Sequence, residues 1–121
     1  MKTEIKTKWV ESLRSGNYTQ GKNKLFDGKN HCCLGVLCDL YSKEKWDYRH
    51  SEFEGKDQWY FNDQSEMLPD EVMRWAGLYS TNPNVNFESP ESSETQRGSI
   101  AELNDSGYTF EELSNYIEQQ F

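Results

Sequence analysis

Apolar residues recur at helical spacing near both ends of the chain and run almost unbroken through one segment between them. Ile5, Trp9 and Leu13 stand at i, i+4 and i+8, which predicts a helix from about Thr3 to Ser15. Thr3 is placed to cap it, Glu4 suits the positive end of the helix dipole, Arg14 falls in the last turn and Gly16 follows. The second segment, His31-Cys32-Cys33-Leu34-Gly35-Val36-Leu37-Cys38-Asp39-Leu40-Tyr41, is the most apolar stretch of the molecule. Its length, to about Lys43, favours a helix over a strand, and its apolar side chains occupy nearly every side of the helical wheel. Such a helix belongs at the centre of a domain. Gly35 inside it costs about 1 kcal/mol relative to alanine, so a second backbone is expected to approach there.

Elsewhere the pattern is shorter in period. Residues 17–30 read as a basic hairpin, with Tyr18-Thr19-Gln20 and Lys24-Leu25-Phe26 as strands around Gly21-Lys22-Asn23 and a further turn at Asp27-Gly28. Residues 46–61 alternate aromatic and charged positions, as half-buried strands do. Pro69 opens a short helix from Asp70 to about Ala76, with Leu68, Val72, Trp75 and Leu78 inward and Gly77 ending it. Asn84–Phe87 suits another strand. Residues 88–98 contain no apolar side chain and are expected as a mobile surface loop. Ser99-x-x-Glu102 and Thr109-x-x-Glu112 are capping boxes that start two helices, separated by a turn at Asn104-Asp105-Ser106-Gly107. The expected fold is α+β: one domain over 1–121, a buried central helix at about 31–43, N- and C-terminal helices, and a small antiparallel sheet.

Composition puts this expectation under strain. Leu, Ile, Val and Phe number 22 of 121 residues, and the net charge is −8, a pairing common in disordered chains. Four Trp, seven Tyr and six Phe counter it. Each ring can bury about 150–250 Å², so an aromatic-heavy core is expected. The charge is polarised as well: residues 1–50 carry +4 and residues 51–121 carry −12. Non-specific nucleic-acid binding needs a broad basic surface and is not expected. A small anion near the basic part, or a basic protein surface against the acidic part, fits better. No apolar run is long enough for a membrane span and Met1–Lys6 has no signal-peptide character, so a cytoplasmic protein is expected.

The candidate chemistry is sparse. Cys32, Cys33 and Cys38 have no further cysteine partners, and His50 is the one histidine apart from His31, so neither a disulfide framework nor a zinc site is expected. The turn 104–107 lacks the alternating ligands of a calcium loop. Cys32 or Cys33 at a helix start is an alternative nucleophile, with His31 or His50 as base and Asp39, Asp47 or Asn30 orienting it. Buried structural thiols are the plainer reading. No cofactor is expected. The best local candidate for a ligand is the basic hairpin: Lys22, Lys24 and Lys29 near the start of the buried helix could hold an anion, with Tyr18 and Phe26 stacking on a base. That makes a nucleotide-binding sponge one functional expectation.

A resemblance runs along most of the chain. Its residues are Trp9-Val10-Glu11-Ser12-Leu13, Arg14 through Gly21, His31 through Leu40, Leu68-Pro69 leading to Trp75-Ala76-Gly77-Leu78, Ile100 through Gly107, and Thr109-Phe110. Together they resemble a family of small proteins encoded by bacteriophages and prophages. The resemblance assigns no activity and no site residue. It implies an accessory role in the host cytoplasm: binding and antagonising a host factor, such as a defence system, through the acidic region 51–121. A Cys-dependent hydrolase is the third expectation. A host protein is the leading partner, and a homodimer is left open by the small aliphatic core.

Overall fold

The computed structural model describes residues 1–53, 55–89 and 91–121. Five helices and two hairpins build one α+β domain: α1 (Thr3–Arg14), α2 (Cys33–Tyr41), β1 (Trp46–Ser51), β2 (Lys56–Phe61), α3 (Asp70–Ala76), β3 (Asn84–Glu88), β4 (Thr95–Ser99), α4 (Ile100–Asp105) and α5 (Phe110–Gln120). The expected single sheet is two separate antiparallel pairs, β1–β2 and β3–β4.

Helix α2 is the hub. Every residue from Cys33 to Asp39 is buried, and α1, α3 and α4 all pack on it. Its all-round apolar wheel is the cause, since no face of it gains by meeting water. Gly35 has the expected role: a Cβ there would lie 1.8 Å from the Leu25 carbonyl oxygen. The helix is shorter at both ends than the expected 31–43: Cys32 is its N-cap, with Sγ accepting from the Gly35 N–H at 3.4 Å, and it ends at Tyr41. Helix α1 presents Ile5, Trp9, Val10 and Leu13 to the core, and Trp9 Nε1 donates to the Cys33 carbonyl at 2.9 Å. Thr3 is not its cap. The boundary residue is Lys2, whose N–H bonds the Ala76 carbonyl at 2.9 Å and ties α1 to the end of α3. Arg14 joins α1 to α5 by hydrogen bonds to Ser114 Oγ (2.9 Å), Asn115 Oδ1 (2.7 Å) and Glu118 Oε2 (3.1 Å).

Both predicted caps of the C-terminal helices are present. Ser99 Oγ accepts from Glu102 N–H, and Thr109 with Glu112 forms the complete reciprocal box. In the β1–β2 hairpin, Trp46 stands opposite Phe61 and Tyr48 opposite Trp59. The segment expected as loop, 88–98, instead contributes Glu88 to β3 and Thr95–Gly98 to β4, where polar side chains alternate on an exposed ladder. Pro90 lies outside the described residues.

The aromatic-heavy core is corrected. Of the described aromatic side chains, Trp9, Phe61 and Phe110 are buried; the centre is otherwise aliphatic and thiol, drawn from all five helices. Eight further rings, Tyr18, Tyr41, Trp46, Trp75, Phe87, Tyr108, Tyr116 and Phe121, form a half-buried collar around it, while Tyr48, Phe53 and Tyr79 are exposed. A domain this small has more shell than centre, so wide rings cover the aliphatic core and keep one edge wet.

Candidate functional site

Residues 17–30 are not a hairpin. They form a loop held by isolated bridges, Gln20 with His31 and Phe26 with His31, so one residue serves both arms. The arms do not pair with each other because both are drawn onto the start of α2 and the C-terminal helices. Leu25 is buried, its N–H bonds the Ser65 carbonyl at 2.8 Å, and its carbonyl accepts the Cys32 N–H at 3.2 Å.

Gln20 and Asn104 fasten this loop. Gln20 Nε2 donates to Asn104 Oδ1 (2.9 Å) and to the Tyr108 carbonyl (2.7 Å), while Gln20 Oε1 accepts from Phe110 N–H (3.0 Å). Asn104, fully buried, also accepts from Cys33 N–H (3.2 Å) and donates to the Gly21 carbonyl (2.8 Å). Thus the Asn104–Gly107 turn is more than a chain reversal: its first residue closes the start of α2. The sequence reading missed this pair. The available signal was an asparagine flanked by core positions Leu103 and Ile100, where a buried amide must find partners.

The same arrangement occupies amides at the start of α2, where an anion site is expected from the sequence. Those amides are buried and answered by Asn104 and by Cys32 Sγ, with Asp105 beside them accepting from Asn23 N–H at 2.8 Å. The five expected ligand residues do not converge. Phe26 is stacked on His31 (4.4 Å between centroids) and flanked by Trp46 and Trp59 at 5.1 Å each, so its ring faces are occupied. The Tyr18 hydroxyl donates to Asp39 Oδ2 at 2.5 Å, and burial, reinforced by that carboxylate, pushes it well above the usual tyrosine range. Lys22 and Lys29 point into solvent, and Lys24 is half-buried in a different depression from Tyr18.

The thiols are placed as structural groups. Burial pushes Cys32 up to about 11 and raises Cys33 and Cys38 well above the ordinary thiol value. Cys33 Sγ bonds the Ile100 carbonyl at 3.9 Å, and among the described residues neither it nor Cys32 hydrogen-bonds a histidine. His50 is engaged elsewhere, with Asp57 on the exposed β1–β2 hairpin. Among the described residues no group of three or more His, Cys, Asp or Glu is arranged to hold a metal ion, and no helix is long and apolar enough to cross a membrane.

The most chemically distinct feature is an acidic depression of about 210 Å³ between the 17–31 loop, the segment before α3, and α4. Capping by Ser99 sets the phase of α4, so Ile100, Leu103 and Asn104 face the core while Ala101, Glu102 and Asp105 line the depression. Glu66 and Met67 form the opposite side, with Asn23, Lys24 and Cys32 on the loop side. Glu102 and Asp105 stand one turn apart on α4 and Glu66 comes from the segment before α3, and none of them is in an ion pair among the described residues. Met67 beside them leaves 46% of its surface exposed. Asn82 in the wall has a buried Oδ1 with no hydrogen-bond partner. The lining is therefore rich in acceptors, with the Lys24 ammonium as its one charged donor.

Fold and site together define a single-domain α+β protein whose distinguishing surface is an acidic depression with an exposed apolar edge. The chain belongs to the family defined by the domain of unknown function DUF8296, which it matches over residues 1–121. Neither the curated proteins nor the solved structures gave a match.

Proposed function

We propose that this chain is a non-enzymatic binding protein that engages a basic surface of a partner protein through the acidic face around Glu66, Glu102 and Asp105. The observation that carries the reading is the gathering of three carboxylates outside any ion pair around one depression, next to exposed Met67. Other carboxylates are paired with bases: Glu118 with Arg14, Asp39 with Lys43, Glu71 with Lys45, and Asp47 and Asp63 with Arg49. Leaving like charges together costs stability in the free protein, and a lysine or arginine from a partner would relieve that cost. The likeness of its motifs to small phage-encoded proteins supports a host factor as that partner, and antagonism of a host enzyme or defence system as the outcome.

Affinity recovery from host lysate tests this. Basic proteins retained at low ionic strength are expected to be released as salt rises, because exposed charge pairs weaken within a Debye length of about 8 Å at physiological salt. The double variant Glu66→Gln/Glu102→Gln is expected to retain them less. Retention indifferent to both salt and the double variant would sink the reading.

A further inference from the structure

His31 occupies an unusual position. Its ring is enclosed by Phe26 (stacked, 4.4 Å), the edge of Tyr18 (5.1 Å) and Trp46 (5.8 Å). Its Nδ1 is buried and has no hydrogen-bond partner. The tolerable form is neutral, with a bare lone pair at Nδ1, since a buried N–H without an acceptor costs more. At the same time its backbone is the tie of the 17–31 loop: its N–H bonds the Thr19 carbonyl (2.9 Å) and its carbonyl accepts the Gly21 N–H (2.7 Å).

We infer that His31 is a pH-sensitive latch: protonation of its ring releases the 17–31 loop from the body, and with it the Asn23–Lys24 wall of the acidic depression. An imidazolium would need an acceptor at Nδ1. The charged groups that face it are Asp39 from α2, Asp27 from the loop and Lys43 from the turn after α2. Asp39 attracts the cation, but its oxygens are taken, Oδ2 by the Tyr18 hydroxyl (2.5 Å) and Lys43 (3.6 Å), Oδ1 by Trp46 Nε1 (3.1 Å). Asp27 is folded back on its own turn, accepting from the N–H groups of Lys29 and Asn30. Lys43 repels the cation. The ring thus gains a proton by swinging out to water, which breaks its stack on Phe26 and loosens both main-chain ties. Burial accordingly holds the imidazole below the ordinary histidine value. That this release regulates binding rests on the function proposed above; the release itself does not.

Amide hydrogen exchange on the free protein at about pH 7 and pH 5 tests the latch, a range in which ordinary carboxylates stay ionised. Protection of the Gly21 and His31 amides is expected to fall by about tenfold or more toward pH 5, with Leu13 and Ile117 unaffected. His31→Phe, which keeps the stack and removes the proton site, is expected to hold protection at both pH values. Equal protection at both pH values in the parent chain, or an equal fall in the variant, overturns the proposal. Should the variant not fold, the NMR titration of His31 in the parent chain decides: it is expected to titrate below the ordinary histidine value, in step with the loss of protection. A His31 that titrates with Gly21 protection unchanged overturns it. Because partner binding is not the readout, a failed latch leaves the acidic-face reading standing, and the reverse holds too.

Discussion

At the scale of single residues, close approach and buried polarity decide most. Gly35 is required by the Leu25 carbonyl, so Gly35→Ala is expected to cost at least about 2–3 kcal/mol in urea unfolding, as overpacking against rigid backbone does. Asn104→Ala strands the Cys33 N–H and the Gly21 carbonyl together, and a loss of about 2–4 kcal/mol is expected from the same measurement. His31 adds a pH dependence whose sign follows from its depressed value. Above about pH 6.5 the imidazole is neutral whether the chain is folded or not, and its contribution to stability is fully present. As pH falls, the unfolded chain takes up the proton first, so stability drains until pH passes the lower folded value. Thermal melts of the parent chain should therefore fall between about pH 7 and pH 5, and those of His31→Phe should fall less. The thiols make the opposite kind of prediction: with all three buried and raised, alkylation near neutral pH should be slow until the protein is unfolded.

At the scale of elements, local rules place the helices and side-chain contacts finish the sheets. Ser99 and Thr109 both cap their helices, the reciprocal box being complete at Thr109 alone, and Thr109→Ala should cost about 1 kcal/mol by removing the cap of α5. The β3–β4 pair shows a contact no local rule contains. Gln120 Oε1 accepts from Asn86 N–H and Gln120 Nε2 donates to the Asn86 carbonyl, both at 2.8 Å, so one side chain from α5 pairs with the outer edge of β3 as a strand would. This blunts an edge that would otherwise be open to pairing with another chain. The 17–30 segment marks where short-range reading fails. Gly, Asn and Asp at turn positions suggest a hairpin, but the arms gain more from Leu25 buried under Gly35 and from Gln20 on Asn104 than from each other.

At the scale of the whole molecule, the polarised charge becomes geometry. The basic N-terminal half spends Arg14, Lys45 and Arg49 on ion pairs, and the acidic half leaves Glu66, Glu102 and Asp105 around one depression. With the phenyl ring of Phe26 enclosed and the lysines dispersed, a panel of cyclic nucleotides should leave the melting temperature unchanged; a rise with any of them would restore the basic loop as a ligand site.

The sequence by itself determined the α+β class, the central buried helix, the close approach at Gly35 and the two capped C-terminal helices. Each depends on spacing within about one or two turns, where the chain interacts with itself. Only the tertiary structure decided that 17–30 is a fastened loop, that the antiparallel strands split into two pairs, and that eight rings form a collar around a mainly aliphatic centre. It also brought Glu66 to Glu102 and Asp105, and Gln20 to Asn104. Those pairs are far apart along the chain, and no periodicity encodes them; packing around α2 does.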